Sequence, residues 1–495
     1  MSSRLNASRY RPVPRDYTYE AIIYTLERGP VGMLVMNLIV TYILYTLIPG
    51  FNSRYINFII LFVLIPLIIV VSFVGAMMYK SNQESKANWE NSKCKMPDWT
   101  NEKETGVKFT DKSVLSKWKG KKIPMETAIE LYFNEKIDFI DTKRVFLNRY
   151  DLFTFIFTWG HISWFLFTFL GQLTGHTLQR DAREVGDVYN RGNDFYGFFL
   201  GKSMVYTSGI FHKSGYKDES LEIAQQRKID TILDSIHLKK GEQHLDIGCG
   251  WGTLVIEAAK RGANSTGCTL AKEQVAFAKE AAKKQGVDKN TNWIIDDYRN
   301  IPKHNNGIKY DKITCVEMAE HVGIKNFQPF LKHVSSLLKD DGMFYIQMCG
   351  VRRTWCFEDI VWILFMGKYV FPGADASTAI NFVVNQLERA GFEIHRLENC
   401  GAHYARTIEM WHDNWVSNKD DVVKAYNVWW YRLWDVFLAW STMIARQGTS
   451  AVYMMTCHKN MLNDAHSINV KDKSNDELLN RTKRFIGDKP IAYQQ

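Results

Sequence analysis

Apolar and polar positions divide this chain into two regimes. The first regime is a set of long apolar runs. Residues 31–48 and 56–79 carry no charge at all. Each reaches the roughly 18 apolar residues that mark a membrane-span candidate. The loop between them is short, with Arg54 its single charge. Two spans joined so closely predict a transmembrane hairpin over 31–80, behind a polar tail over 1–30. Arg4, Arg9, Arg11, Arg15 and Arg28 lie upstream, and Lys80, Lys86, Lys93 and Lys95 downstream. Basic residues on both sides place both flanks in the cytosol. The pair lies too deep in the chain for a cleaved signal peptide. A third apolar run, 152–171, is rich in Phe and has Arg144, Arg149, Arg180 and Arg183 around it. A third crossing would carry the rest of the chain to the opposite face. The run therefore reads as an in-plane or re-entrant interfacial element. With the polar stretch 81–122 it makes 81–187 a linker and membrane-interfacial region.

The second regime covers 188–495, where short apolar runs alternate with amphipathic segments. Strands are expected over 243–247, 265–269, 293–296, 312–316, 343–348 and 392–397. Helices are expected over 253–262, 272–285 and 326–338, among others. Strand–helix alternation of this kind predicts an α/β domain with a doubly wound, mostly parallel sheet. There is no internal repeat and no low-complexity tract.

Charge and cysteines narrow the class. The chain has 495 residues and a net charge of +9. A basic balance suits nucleic acid or an anionic membrane face. No aromatic-plus-basic nucleic-acid motif accompanies it, so the apolar runs decide for a lipid bilayer as partner. The eight cysteines form no CxxC pair and no cluster at metal spacing. They read as thiols in a reducing compartment, with no metal site.

The sharpest motif is HLDIGCGWG, residues 244–252, followed by GCTLAKEQ, 267–274. It reads as strand, glycine turn, helix start and second strand. The dinucleotide fingerprint is GxGxxG, whereas here Gly248, Gly250 and Gly252 give GxGxG, with Trp251 inside the turn and Asp246 before it. An acidic residue there repels a pyrophosphate and pairs with a cationic amino-acid ligand. S-adenosylmethionine, with a sulfonium, an ammonium and no phosphate, fits. Asp246 and the turn would meet its methionine end. Asp297 and Tyr298, after the third strand, would meet the adenine. In EMAEHVG (317–323) Glu317 and Glu320 are three residues apart, with His321 adjacent.

These blocks, with VYNRGNDFY (188–196), MVYTSGIF (204–211), DDYRNIP (296–302), YVFPG (369–373) and GAHYARTIEMW (401–411), resemble the cyclopropane fatty acid synthase and mycolic acid methyltransferase family. With the apolar N-terminus included, the chain resembles that family's fungal sphingolipid C9-methyltransferase branch. The resemblance implies a class I S-adenosylmethionine methyltransferase fold on a two-helix anchor. It implies that Tyr189 and Gly192 close over the cofactor, and that Thr269, Leu270 and Gln274 face its ribose. In the synthases the counterparts of Glu320 and Tyr404 help hold a bicarbonate ion that acts as base. Ser208 and Gln347 stand where the synthases carry Cys and His, so bicarbonate stays open here. The implied reaction adds a methyl branch at C9 of the Δ8-unsaturated sphingoid base of ceramide or glucosylceramide. A cyclopropane-forming synthase on phospholipid acyl chains and an inactive membrane scaffold are the alternatives. Alkene methylation passes through a carbocation, so the site must exclude water and then remove a proton. Trp355, Phe357, Trp362, Phe365, Phe371, Trp429, Trp430, Trp434, Phe437 and Trp440 are candidates for a lipid groove, with core packing the commoner role for such residues. The expected location is an internal membrane, endoplasmic reticulum or Golgi, with the catalytic domain in the cytosol. Oligomeric state is left open.

Overall fold

A computed structural model describes residues 96–164, 192–212, 218–371 and 378–459, with a few positions between 75 and 86. The two expected spans lie outside the described residues, apart from Gly75, Met78 and Tyr79. Among the described residues no helix is long and apolar enough to cross a membrane. Chain contacts divide the molecule into two units, Met1–Gly171 with Arg353–Phe365, and Gln172–Arg352 with Met366–Gln495.

Among the described residues the first unit holds four short strands, β1 (Val107–Phe109), β2 (Ile123–Pro124), β3 (Ile137–Phe139) and β4 (Phe153–Thr154), with helix α1 (Met125–Phe133). β1 pairs antiparallel with β3, and β2 pairs parallel with β4. Val107, Ile123, Ile137, Val145 and Phe146 are fully buried, and Tyr132 stacks on Phe139 at 4.3 Å. Residues 96–154, expected to be linker and interfacial chain, thus form a packed core. Their apolar residues come in short groups broken by charges and meet through pairing of segments distant in the chain. Leu152, Phe153 and Phe155, the start of the third apolar run, are buried in it. The segment Arg353–Phe365 belongs to the same unit, and its helix (Phe357–Phe365) carries a buried Glu358 that pairs with buried Arg149 and accepts the Tyr150 hydroxyl. Trp355, Phe357, Trp362 and Phe365 are buried as well.

The second unit is built on a seven-stranded sheet: β5 (Gln243–Ile247), β6 (Asn264–Thr269), β7 (Thr291–Ile295), β8 (Tyr310–Val316), β9 (Leu338–Val351), β10 (Phe392–Asn399) and β11 (Ser450–Lys459). Their spatial order is β10-β11-β9-β8-β5-β6-β7. β5 to β9 run parallel, and β11 lies antiparallel between β9 and β10. The six expected strands are present. β11 was not expected, and it makes the sheet mixed.

Helices α2 (Asn193–Leu200), α3 (Leu221–Ser235), α4 (Thr253–Lys260), α5 (Lys272–Lys284), α6 (Ile324–Leu337), α7 (Ile380–Arg389), α8 (Gly401–Ser417) and α9 (Val428–Arg446) complete it. β9 shows why the sheet is covered on both faces. Phe344, Ile346 and Met348 enter one core with Phe327, Phe330 and Leu331 of α6. Met343 and Tyr345 enter the other, with Ile229, Ile232 and Leu233 of α3. This is the period-2 alternation of a strand buried on both sides. β5 sits in the centre, with β6 on one side and β8 on the other. The crevice at its carboxyl end is the topological switch point, where open α/β sheets bind ligands.

Candidate active site

The crevice is lined by Asp246 and the glycine turn from β5, Thr269, Leu270 and Gln274 from β6 and α5, Asp297 and Tyr298 after β7, and Glu317 after β8. Met204 to Thr207 close another side. Asp246, Gly248, Gly250, Trp251, Thr269, Leu270, Gln274, Asp297 and Tyr298 therefore line one crevice. Tyr189 lies outside the described residues. Gly192 is described, at φ +100° immediately before α2.

The three glycines of the turn do different work. Gly250 has φ +52°, and beyond its chain neighbours no protein atom lies within 4 Å of where a Cβ would stand, so its missing side chain leaves open space. Gly252, at φ +81°, backs onto Trp293 and Ala278, and a Cβ there would lie 2.4 Å from the Trp293 ring. It is a packing glycine, whereas the expectation had placed it at the cofactor. The turn is pinned to β6 by the Gly248 and Cys249 N–H groups, which both donate to the Cys268 carbonyl, at 2.8 and 3.1 Å. Trp251 donates its indole N–H to Asn193 Oδ1 at 2.7 Å and lies 5.0 Å from the Tyr196 ring. Asn193 and Tyr196 thereby tie α2 to the turn.

Asp246 is held by a relay that the sequence reading missed. Ser265 Oγ lies 2.7 Å from His244 Nδ1, His244 Nε2 lies 3.0 Å from Thr314 Oγ1, and Thr314 donates to Asp246 Oδ1 at 2.7 Å. Since Thr314 gives its one proton to Asp246, the relay assigns the proton of His244 to Nε2. Burial keeps that imidazole neutral, its pKa pushed down to about 3. Burial also lifts the Asp246 carboxyl to about 7, against the Thr314 bond. A cation in the crevice would reverse that shift. The only sequence signal for this relay was the polar His244 within an apolar strand.

At the other end of the crevice, Thr269 donates to Gln274 Oε1 at 3.2 Å. Asp297 caps the short helix Tyr298–Asn300 and is chelated by Arg299, at 2.7 Å from both Nε and Nη2. Its carboxylate is thus already engaged within the protein. Tyr298 packs edge-on to Phe330 at 5.1 Å.

Beside the crevice lies a buried polar nest. Glu317 Oε1 accepts the Thr207 hydroxyl at 2.8 Å and the Gln347 side-chain amide. Gln347 Oε1 accepts the Tyr345 hydroxyl at 3.0 Å. Ser208 accepts Lys228 Nζ at 3.0 Å, and that lysine is fully buried. Glu320 lies one turn on, in the short helix Ala319–His321. Its Oε1 accepts the Cys349 N–H, and its Oε2 is buried with no hydrogen-bond partner. Tyr404, on α8, is partly buried and packs against the α3-side core, with its hydroxyl beside Cys349. The four expected catalytic residues thus sit with Glu317 in or beside one cluster. Of the two carboxylates, however, Glu317 lines the crevice and Glu320 does not. Sequence reasoning missed Lys228 and Thr207. Lys228 occurs in an ordinary amphipathic pattern, where a lysine is normally solvated.

The late aromatics behave as core. Trp434 and Trp440 are fully buried. Phe371 packs edge-on to Phe437 at 5.8 Å, whereas Trp429 is exposed. None of the ten groove candidates lines the crevice. Among the described residues no cluster suits a metal ion.

This sheet order, with an acid-ended central strand running into a glycine turn, is the class I S-adenosylmethionine methyltransferase fold. The chain belongs to the mycolic acid cyclopropane synthetase family, which matches residues 176–455. It is 46% identical over 363 residues to the sphingolipid C9-methyltransferase of Komagataella phaffii, covering 72% of this chain and 74% of that one. It is 44% identical over 366 residues to sphingolipid C9-methyltransferase 2 of Gibberella zeae, covering 73% and 70%. Among solved structures, the cyclopropane synthase MmaA2 of Mycobacterium tuberculosis aligns with a TM-score of 0.52 at 24% identity, over 56% of this chain and 98% of that one. That likeness is one of fold.

Proposed function

We propose that this protein transfers a methyl group from S-adenosylmethionine to C9 of a Δ8-unsaturated sphingoid base, in ceramide or glucosylceramide. The observation that carries the substrate is the 46% identity, over most of the chain, to a relative named for that activity. The crevice fits the cofactor. Asp246 offers a buried carboxylate to the ammonium end, Gly250 leaves its Cβ space open, and Gln274 and Tyr298 wall the nucleoside end. When bound, S-adenosylmethionine supplies an electrophilic methyl group.

The residues of the chain then have three tasks. They bind the cofactor at the turn. They shield the cationic carbon that methylation leaves from water, with apolar and aromatic walls such as Met204, Val205 and Tyr206. They present fixed negative charge near the carbon where positive charge develops. Comparative lipid mass spectrometry of cells with and without the gene tests the substrate. Loss of the methylated glucosylceramide species upon deletion is expected. A change confined to phospholipid acyl chains would sink this reading.

The apolar pair 31–48 and 56–79 supports a hairpin anchor in the endoplasmic reticulum or Golgi, with both flanks in the cytosol. A glycosylation acceptor added at the N-terminus should stay unmodified in microsomes, and one in an extended loop near Arg54 should be modified. The opposite pattern would refute the topology.

A further inference from the structure

The cation left by alkene methylation must lose a proton, and the base has to stand at the crevice wall. The polar nest beside the crevice offers two carboxylates for this role. Glu320 does not line the crevice, and burial together with the neighbouring Glu317 pushes its carboxyl up to about 8. At neutral pH it keeps its proton. Glu317 is placed differently. It lines the crevice and accepts hydrogen bonds from Thr207 and Gln347. The Ser208 N–H and the buried Lys228 act on it as well, both favouring its charged form, while burial raises its pKa above the ordinary value. Its backbone is unusual too. Glu317 sits at φ +53°, a region that non-glycine residues enter only at a cost. The strain turns a carboxylate off the end of β8 into a nest of donors.

We propose that Glu317 is the catalytic base, an internal carboxylate that does the work of an external anion. This rests on the C-methylation reading above. The methyl group bonds to C9 and leaves the cation at C8. The Glu317 carboxylate then takes the C9 proton, and the C9–H electron pair becomes the new C8=C9 double bond. The positive charge that entered with the methyl group leaves as the proton on Glu317, which passes it to solvent. The product is an alkene with a methyl branch. Thr207 and Gln347 are positioning residues that aim the carboxylate.

The test uses full-length enzyme in mixed micelles with Δ8-unsaturated glucosylceramide. Glu317→Gln should lower turnover by roughly two to four orders of magnitude, the scale of a general base, and leave S-adenosylmethionine affinity within a few-fold. Glu317→Gly suits the positive φ and should fold. It should be equally slow, and added bicarbonate or formate should restore part of its rate, which a merely structural role would not allow. The wild type should keep its rate after bicarbonate is removed. Near-normal turnover by Glu317→Gln, no rescue of Glu317→Gly, or a wild type that needs bicarbonate would each overturn the proposal. If the wild type instead methylates only a phospholipid, the substrate reading fails alone, and the same variants test Glu317 on that lipid.

Discussion

Gly250→Val should abolish S-adenosylmethionine binding while leaving the second unit folded. Gly250 has φ +52° and an empty volume where its Cβ would stand. Two effects add. A β-branched side chain resists the left-handed backbone region. Its methyl groups would also enter the crevice that Gly250 and Asp246 both line, space that the ligand needs. The space holds no protein atom, so the surrounding core is not displaced. Gly252 is the contrast, because a side chain there would drive into Trp293 and Ala278 and attack the fold itself. Calorimetric titration of the purified variant is the measurement. An affinity loss of at least about 100-fold, or roughly 2.7 kcal/mol, is expected, with an unchanged circular-dichroism spectrum. Binding within a few-fold of wild type would show that the turn does not hold the cofactor.

Trp434→Ala should destabilise the second unit by about 3–5 kcal/mol, the cost of truncating a large aromatic in a packed core. Trp434 is fully buried on α9. Its ring lies 4.8 Å from Phe195, 5.8 Å from Trp430, 5.7 Å from Phe437 and 6.3 Å from Trp415. These contacts join α9 to α2 and α8, and α2 in turn holds Trp251 of the glycine turn. Cofactor affinity should therefore fall with stability. Trp429, five residues earlier and exposed, should tolerate alanine within about 0.5 kcal/mol. Thermal inactivation rates of the two variants decide. Equal rates would mean that the aromatic row serves something other than this core, such as a lipid groove.

The cofactor end of the site was legible because its chemistry lies in one stretch of chain. Asp246, Gly248, Gly250 and Trp251 are fixed by a strand and a turn only a few residues long, and positive φ at a glycine leaves a local mark. The polar nest was half legible. Ser208, Glu320, Gln347 and Tyr404 carried the family resemblance, and Glu317 stood in the same motif as Glu320. Nothing local told the two glutamates apart. Their difference comes from Thr207 and Gln347, which reach Glu317 from 110 and 30 residues away in the chain.

By itself the sequence determined the alternation of strands and helices in the second unit, the glycine turn and the acidic residue that begins it. These depend on period, on backbone freedom and on short-range order. Only the tertiary structure decided that β11 inserts antiparallel between β9 and β10, that residues 96–154 carry a core, and that Glu358 pairs with Arg149. It alone separated a crevice-facing Glu317 from a sequestered Glu320, and a ligand-side Gly250 from a packing Gly252. The reason is common to all of them. Pairing, burial and electrostatic environment are set by residues far apart in the chain, and a residue's type does not record which neighbours folding will bring to it.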